Sequence, residues 1–321
     1  MDRLHAHLTR YCSADWRRTV DTLIGGMHEI DHNATRIWFA FYPLDLCLYL
    51  EAAASEPGGL EAAIRKAGLM GNWRLADHVD TSHRFFFSHR YWPQVKSAVQ
   101  NAAAPYADDL GALATSVAEA AARTARVDRE FLIGISLAAL MTLRQAGPAA
   151  FAAAPGEVHL SDKVRARSPH QVLKARARDD SQGLMGFTRG LKKLWTVTFD
   201  ENEPAATFTL VNGQEIATAA QTDKRDHKSR DARCTPGEGP IPVECRAASC
   251  GTCWIGVIGG ADKLSPVVDR DERERMRVFG YINSNEPQPL IRLACQARAS
   301  GAVSVVIPPW NGIFGKVITK A

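Results

Sequence analysis

The sequence predicts a protein of two domains, an all-α domain followed by an α+β domain. At 321 residues the chain exceeds the usual size of a single domain. Apolar residues recur at helical spacing up to about residue 146, whereas they alternate with polar residues from residue 194 onward. A basic stretch without a long apolar face separates the two patterns. We therefore place the all-α domain at residues 1–155, a basic linker at 156–193 and the α+β domain at 194–321.

The first domain is predicted to contain six or seven helices. Two segments rich in Ala and Leu have clear apolar faces, ADDLGALATSVAEAAARTA at 107–125 and REFLIGISLAALMTLRQA at 129–146. Gly147 and Pro148 end the second segment. Its apolar run FLIGISLAALMTL is well short of the roughly 20 residues that span a bilayer, so we expect a buried helix and no transmembrane segment.

The basic linker carries the whole positive excess of the chain. Residues 160–193 contain nine Lys and Arg against three Asp and Glu, whereas the parts on either side are balanced or slightly acidic. Such a segment is either a solvated connector or a tether for an acidic partner surface. Aromatic residues are not interleaved with the charges, which argues against a nucleic-acid partner.

The second domain is predicted to contain four strands and a charged helix. The strands are LWTVTF at 194–199, ATFTLV at 206–211, WIGVI at 254–258 and AVSVVIP at 302–308, and the helix is SPVVDRDERERMRVFG at 265–280. Asn212-Gly213 is a strong two-residue hairpin signal. Residues 222–233, TDKRDHKSRDAR, are too polar for a core, and we expect an exposed insertion there.

Three of the seven cysteines lie within VECRAASCGTCW at 243–254, with the spacing C-x4-C-x2-C; they are Cys245, Cys250 and Cys253. Thiolates are soft ligands that suit iron, and four of them hold an iron–sulfur cluster. The only later cysteine is Cys295, in LIRLACQ, so we expect it to be the fourth ligand. A zinc site usually joins two C-x2-C pairs, and this sequence has no second C-x2-C pair. Cys234 is predicted to be a spare thiol.

The cysteine loop and the later stretch RLACQARASGAVSVVIP resemble the plant-type [2Fe-2S] ferredoxin family over about residues 194–310. The resemblance implies a β-grasp fold, a mixed sheet with a helix across it, and a [2Fe-2S] cluster held by the four cysteines. It also implies single-electron transfer to and from other proteins. Two features depart from the family: the 41 residues between Cys253 and Cys295 make a longer gap than usual, and the charged insertion precedes the loop.

The first domain contains a formal H-E-x-x-H motif, HEIDH at 28–32. On a helix this motif places two histidines on one face, as in zinc proteases, with Glu29 as the base and Glu51 as a candidate third ligand. Short motifs of this kind arise by chance, and nothing else in the chain resembles a peptidase. A metal hydrolase is therefore the least favoured hypothesis for function.

A redox centre in the first domain is a second hypothesis. Glu29-x-x-His32 and Asp80-x-x-His83 each predict a carboxylate and an imidazole on one helical face, with His89 near the second pair. Such pairs on facing helices hold iron, and histidines from two helices clamp a haem. The candidate ligands are His28, Glu29, His32, His78 and His83. The alternative is a polar cluster satisfied within a helical core.

These patterns leave three hypotheses for function. The first is a non-catalytic electron carrier, a dedicated subunit of a larger oxidoreductase whose helical domain docks the partner or holds a second centre. In the second, the helical domain is a catalytic haem or non-haem iron enzyme fed by the ferredoxin domain. In the third, the helical domain anchors the ferredoxin to an assembly. The chain has no GxGxxG fingerprint, so we expect redox partner proteins.

The first residues, MDRLHAHLTRYCSADW, contain no apolar h-region and no small-residue cleavage site. We therefore expect a cytoplasmic protein. In that reducing compartment clustered thiols are metal ligands or redox groups rather than structural disulfides.

Overall fold

The computed structural model describes residues 1–176, 193–267, 269–281 and 286–318. The chain divides into two compact units. The N-terminal unit contains Met1–Leu48 and Arg74–Pro169, and the C-terminal unit contains Tyr49–Trp73 and His170–Ala321.

This division differs from the predicted domain boundaries in two places. Residues 49–73 group with the C-terminal unit because the short strand Met70–Gly71 pairs with Trp310–Asn311. Residues 156–169 of the predicted linker group with the N-terminal unit, where the backbone N–H of Gly156 donates to Asp80 at 2.7 Å. Most of the rest of the predicted linker, residues 177–192, lies outside the described residues.

The described residues contain thirteen α-helices, together with several short 3-10 helices. They are α1 Asp2–Leu8, α2 Ser13–Leu23, α3 His32–Phe41, α4 Leu44–Ala54, α5 Gly59–Lys66, α6 Trp92–Gln100, α7 Leu110–Ala125, α8 Ile133–Ala153, α9 Asp162–Arg165, α10 Pro169–Arg176, α11 Ile216–Ala220, α12 Asp269–Phe279 and α13 Gly315–Ile318. Eight of them begin within residues 1–155, where the sequence predicted six or seven.

The core of the N-terminal unit is built around α8. Its residues from Ile133 to Arg144 are buried on every face, as expected for a helix that is apolar all round. At Gly147 the backbone is non-helical, with φ 80°, and the chain resumes a helical course at Pro148. The predicted end of the helix is therefore a kink. Large side chains fill the space beside α8, and Trp16, Trp38 and Trp92 are fully buried.

One helical stretch, Glu29–Ala54, is long and apolar enough to cross a membrane by length and composition. A buried core helix of a globular protein meets the same criterion, and 44% of the apolar 18-residue window in this stretch is buried within the protein. The stretch is also interrupted after Phe41, where α3 ends. It is therefore no argument by itself for a membrane span.

The C-terminal unit contains seven described strands. They are β1 Met70–Gly71, β2 Leu194–Thr198, β3 Thr207–Val211, β4 Trp254–Gly259, β5 Ile291–Leu293, β6 Val303–Val306 and β7 Trp310–Asn311. Five form a sheet in the order β3-β2-β6-β4-β5, in which β2 and β6 are parallel and the other neighbours are antiparallel. The other two form the small antiparallel sheet β1-β7.

The structure confirms the four predicted strands and the charged helix α12, but the predicted hairpin turn is wrong. Asn212 and Gly213 follow β3 and lead into α11. The hairpin of β2 and β3 closes instead between Thr198 and Thr207, at the other end of the pair. Asn212 lies where the chain leaves the sheet, so its turn ends a strand rather than joining two.

The charged segment at 222–233 is only partly an exposed insertion. Asp223 and His227 are buried, and the imidazole Nε2 lies 3.0 Å from the carboxylate Oδ2. Hydrogen bonds from the side chain and the backbone N–H of Arg225 outweigh the effect of burial and lower the pKa of Asp223 to about 2. Several charges pair within the segment, Asp223 with Arg225 and Asp231 with Arg233.

Candidate metal centre

The loop that carries three of the cysteines contains three residues with left-handed backbone angles. Arg246, Ala248 and Gly251 have φ of 53°, 57° and 67°. Turns of this kind direct successive N–H groups toward one point and make a concave anion site. The Sγ atom of Cys245 accepts three such bonds, from the N–H groups of Ala247, Ser249 and Cys250 at 3.4, 3.3 and 3.2 Å.

These N–H groups favour the thiolate of Cys245. Burial alone would raise the pKa of this thiol, but the hydrogen bonds from Ser249, Ala247 and Cys250 outweigh it and lower the pKa to about 6. A thiolate is the form that binds metal. The protein's own N–H groups in this loop therefore favour a negatively charged sulfur at Cys245.

The remaining two ligand candidates lie at the edge of the five-stranded sheet. Cys253 immediately precedes β4, and Cys295 is the second residue after β5. Since Trp254 pairs with Leu293 and the N–H of Ala294 donates to the carbonyl of Cys253 at 2.9 Å, strand pairing places the two cysteines side by side. Both are buried.

The buried thiols of Cys253 and Cys295 share a hydrogen bond, and their pKa values move in opposite directions. The hydrogen bond from Cys253 lowers the pKa of Cys295 to about 7 against the effect of burial, and Gln296 adds a second donor 3.5 Å from the sulfur. The same bond, reinforced by burial, raises the pKa of Cys253 well above its usual value.

Cys250, like Cys245, is partly exposed and lies at the more open side of the site. Its Sγ is 3.2 Å from Thr252 Oγ1, and the residue lines a groove of about 470 Å³. The groove is lined by apolar side chains, including Leu69, Met70 and Ile313, and also by the charged Glu61 and Arg65. A segment from the N-terminal half of the chain therefore lies next to a predicted ligand.

The four thiols fit a two-iron group better than a single ion. Cys245 interacts with Cys250 in the loop, where the Cys250 N–H donates to Cys245 Sγ at 3.2 Å, and Cys253 shares a hydrogen bond with Cys295 at the sheet edge. The described part of the chain contains no group of three or more His, Cys, Asp or Glu side chains arranged to hold one metal ion. Four sulfur donors and N–H groups directed at sulfur are the environment that iron–sulfur clusters use.

The fifth thiol of this unit, Cys234, is separate from the site. It is buried, and its Sγ donates to the carbonyl of Pro240 at 3.4 Å. Burial raises the pKa of Cys234 to about 11, so this thiol stays protonated. Its environment is that of a structural thiol.

The HEIDH motif does not form the helical face that the sequence predicted. His28 has an extended backbone, with ψ 135°. Glu29–Asp31 form one 3-10 turn, and α3 begins only at His32. The ring of His28 stacks on Phe131 with centroids 4.3 Å apart, and His32 Nε2 donates to the carbonyl of Met27 at 3.0 Å. The prediction was wrong because 3-10 turns replace the helix.

The second predicted helical pair also lies in turns. Asp80 accepts hydrogen bonds from Trp92 Nε1 and Gly156 N, each at 2.7 Å, and its carboxylate is 3.6 Å from Lys96 Nζ. The Asp80 carboxylate therefore has protein partners, as expected for a polar cluster satisfied within the core.

The histidines near Asp80 pack against neighbouring side chains. His83 and His89 are buried with their Nδ1 atoms 3.0 Å apart, and His78 Nε2 is 2.9 Å from the hydroxyl of Tyr42. Within residues 1–176, no group of three or more His, Cys, Asp or Glu side chains could hold a metal ion. The haem or iron hypothesis for the helical region therefore has no support.

Sequence reasoning missed one residue that touches the cysteine loop. Asn311, in β7, is buried, and its Nδ2 donates to the carbonyl of Gly251 at 3.2 Å. The two residues are 60 positions apart, so no local pattern could connect them. The one available signal is the polar Asn between Trp310 and Gly312 in an otherwise apolar stretch.

A comparison with family models supports the reading of the site. Residues 201–300 match the model described as the 2Fe-2S iron-sulfur cluster binding domain, which confirms the resemblance found in the sequence. All four cysteines of the site lie within the match. Searches of curated proteins and of solved structures gave no match.

Proposed function

We propose that the protein is an electron carrier whose C-terminal unit binds a [2Fe-2S] cluster through Cys245, Cys250, Cys253 and Cys295. The observation that carries this proposal is the arrangement of the thiols in two pairs, within the residues that match the cluster-binding family. A bound cluster would supply reversible one-electron chemistry. We favour a non-catalytic carrier, because the residues that match a known family are those of the cluster-binding domain.

The chain's own residues have distinct roles in this proposal. The three N–H groups around Cys245 would stabilise negative charge on sulfur, which favours the reduced state and raises the reduction potential. Burial of Cys253 and Cys295 would keep water from one side of the site. The more open Cys250 side is where electrons would enter or leave.

We further propose that the C-terminal unit has a β-grasp fold and the N-terminal unit an all-α fold. The sheet order β3-β2-β6-β4-β5, with its single parallel pair in the centre and α12 between β4 and β5, supports the first assignment. The helices α1 to α4 and α6 to α9 support the second.

The proposed cellular role is that of a dedicated redox subunit, with a partner oxidoreductase held through the N-terminal unit and the basic segment 160–193. A fixed partner needs little long-range steering, since a tether sets an effective concentration that reaches the millimolar range for short linkers. The net charge near zero after residue 193 is consistent with this role. All seven cysteines are free thiols, which is consistent with the cytoplasm.

The cluster assignment is tested by analysing the purified full-length protein. About two irons and two sulfides per chain are expected, with a red-brown colour that bleaches on dithionite reduction. Cys250→Ala should lose the visible bands because it removes a ligand. It should also leave the C-terminal unit poorly folded, because cluster binding contributes folding free energy. A Cys250→Ala protein with unchanged bands, or a colourless wild-type protein, would refute the assignment.

The subunit role is tested with charge variants of the full chain. Lys163, Lys174 and Arg178 lie in the basic segment, and their replacement by Gln should weaken association with the native oxidoreductase. Added salt should do the same, because exposed charges are screened beyond about 8 Å at physiological ionic strength. Recovery of the wild-type protein from its cells as a free monomer at low salt would contradict the role.

A further inference from the structure

We propose that Asn311 is a positioning residue for the cysteine loop, held in place by a clasp that consists of residues 67–72, 231–233 and 308–313. This inference rests on the proposed function, because the loop it positions is the cluster loop. It assigns a role to two features that the electron-carrier function leaves unexplained. These are the charged segment 222–233 and the strand β1, which belongs to the C-terminal unit although it precedes α6 in the chain.

Asn311 contacts the loop between two predicted ligands. Its Nδ2 donates to the carbonyl of Gly251, which lies between Cys250 and Cys253. Gly251 has φ 67°, and a Cβ atom added there would lie 2.0 Å from the ring of Phe279. The loop is therefore fixed on one side by an amide hydrogen bond and on the other by an aromatic ring.

Holding this carbonyl also orients the next N–H. The peptide bond is planar and trans, so the Thr252 N–H points opposite to the Gly251 carbonyl and away from Asn311. If the amide of Asn311 is lost, this peptide plane is free to rotate. The direction of an N–H next to both Cys250 and Cys253 then changes, and N–H directions near the sulfurs affect the potential of a cluster.

Arg233 holds Asn311 from the opposite side. Its Nη1 donates to Asn311 Oδ1, and its Nη2 donates to the carbonyl of Pro308 at 2.5 Å. Asp231 pairs with the same guanidinium at 2.9 Å from Nε. The Arg233 side chain is only 8% exposed, so the charged segment 222–233 ends in a buried anchor rather than in solvent.

The segment 67–72 completes the clasp. Met70 pairs with Asn311 across the small sheet, the N–H of Asn72 donates to the carbonyl of Pro309 at 2.9 Å, and that of Ile313 donates to the carbonyl of Ala67 at 2.6 Å. Gly71 lies against Arg233, because an added Cβ there would be 3.1 Å from Arg233 Cδ. Backbone bonds on both sides of Asn311 thus fix the strand from which its amide projects.

The inference is tested on the full-length holoprotein with Asn311→Asp, Asn311→Leu and Arg233→Ala. Asn311→Asp retains the size of the side chain and an acceptor for Arg233 but removes the donor to Gly251. Partners that orient metal ligands typically contribute ~10–100-fold in affinity or activity, so each variant should release iron to excess EDTA about 10-fold faster or more. The electron paramagnetic resonance g values of the reduced variants should also shift. If Asn311 only stabilised the fold, the g values of the intact cluster would not change.

Two matched controls accompany these variants. Arg230→Ala removes an exposed arginine of the same charged segment, which pairs with Glu203, and Asn212→Asp changes an asparagine that accepts from Trp195 Nε1. Both controls should keep wild-type iron release and g values. Asn311→Asp decides the question if Asn311→Leu or Arg233→Ala is insoluble.

The outcomes separate this inference from the proposed function. A wild-type protein without iron and sulfide would refute the cluster itself. A wild-type protein with a cluster, together with an Asn311→Asp variant whose iron release and g values are unchanged, would overturn only the positioning role. Equal effects of Arg230→Ala and Arg233→Ala would also overturn it, since they would point to general loosening of the segment.

Discussion

Glu272 and Arg292 form a buried ion pair, with Nε 2.9 Å from Oε1 and both side chains almost completely shielded from solvent. Glu272 lies in α12, and Arg292 lies in β5, three residues before Cys295. The same carboxylate oxygen accepts the N–H of Leu293 at 2.8 Å, and Arg292 Nη1 donates to the carbonyl of Ser265. The pair thereby attaches the charged helix to the strand that leads to Cys295, the predicted fourth ligand.

The first prediction is that Glu272→Gln destabilises the C-terminal unit by about 3–5 kcal/mol, because it leaves Arg292 buried without a counter-charge. Urea unfolding followed by the visible absorbance of the cluster measures this loss. Glu215→Gln is the matched control, since it breaks the largely exposed pair with Arg298 and should cost no more than ~1 kcal/mol. Equal unfolding midpoints for the two variants would contradict the role of the buried pair.

The second prediction is that Cys234→Ser keeps the iron and sulfide content of the wild-type protein. Cys234 is bonded to Pro240 rather than to the loop, and its pKa of about 11 keeps it protonated at neutral pH. The thiol of the native holoprotein should therefore resist alkylation at pH 8. Metal analysis and mass spectrometry after iodoacetamide treatment measure both effects. Loss of iron would show that Cys234, and not one of the four assigned cysteines, is a ligand.

The parts of the structure that the sequence predicted are those set by local patterns. The strands WIGVI and AVSVVIP and the charged helix follow from short runs of residues, and they appear as β4, β6 and α12. The cysteine spacing identified the loop because several ligands within a few residues are a local feature. Cys295 could be added because no other cysteine follows residue 253.

The features that were predicted wrongly or missed depend on distant contacts. Asp31 is buried and accepts the N–H groups of Phe87 and Ser88 at 2.7 and 3.0 Å, bonds that span more than fifty residues. Such bonds accompany the turns that replace a helix at HEIDH, and periodicity cannot reveal them. The placement of β1 beside β7 and the contact of Asn311 with Gly251 are non-local in the same way.

The third prediction is that Asp80→Asn destabilises the N-terminal unit by about 3–5 kcal/mol without changing the metal content of the protein. The substitution leaves Lys96, whose side chain is 4% exposed, without its carboxylate partner. Asp77→Asn is the control, because the ion pair of Asp77 with Arg74 is exposed. Chemical unfolding and iron analysis are measured together. A loss of iron in Asp80→Asn, with the cysteines intact, would revive the metal hypothesis for this region.

The last prediction concerns the pH dependence of the N-terminal unit, where His83 and His89 are buried side by side. Burial lowers the pKa of His89 to about 4, with Arg84 adding to the effect and Asp80 opposing it. Burial likewise lowers the pKa of His83 well below 6.5, and the neighbouring His89 contributes in the same direction. Both imidazoles are therefore neutral in the folded protein at neutral pH.

The direction in which stability changes with pH follows from the protons bound by the folded and the unfolded protein. Between pH 6.5 and about 4, the unfolded chain binds a proton at His89 that the folded protein does not, so stability falls as the pH falls through this window. The contribution of one such group reaches at most ~1.4 kcal/mol per pH unit. His89→Gln removes it, so the variant should lose less stability than the wild type between pH 7.0 and 5.0. Urea unfolding of both proteins measures the difference, in which the acid lability of a cluster cancels because it is common to both. Parallel pH profiles for the two proteins would show that His89 is charged, or exposed to solvent, in the folded state.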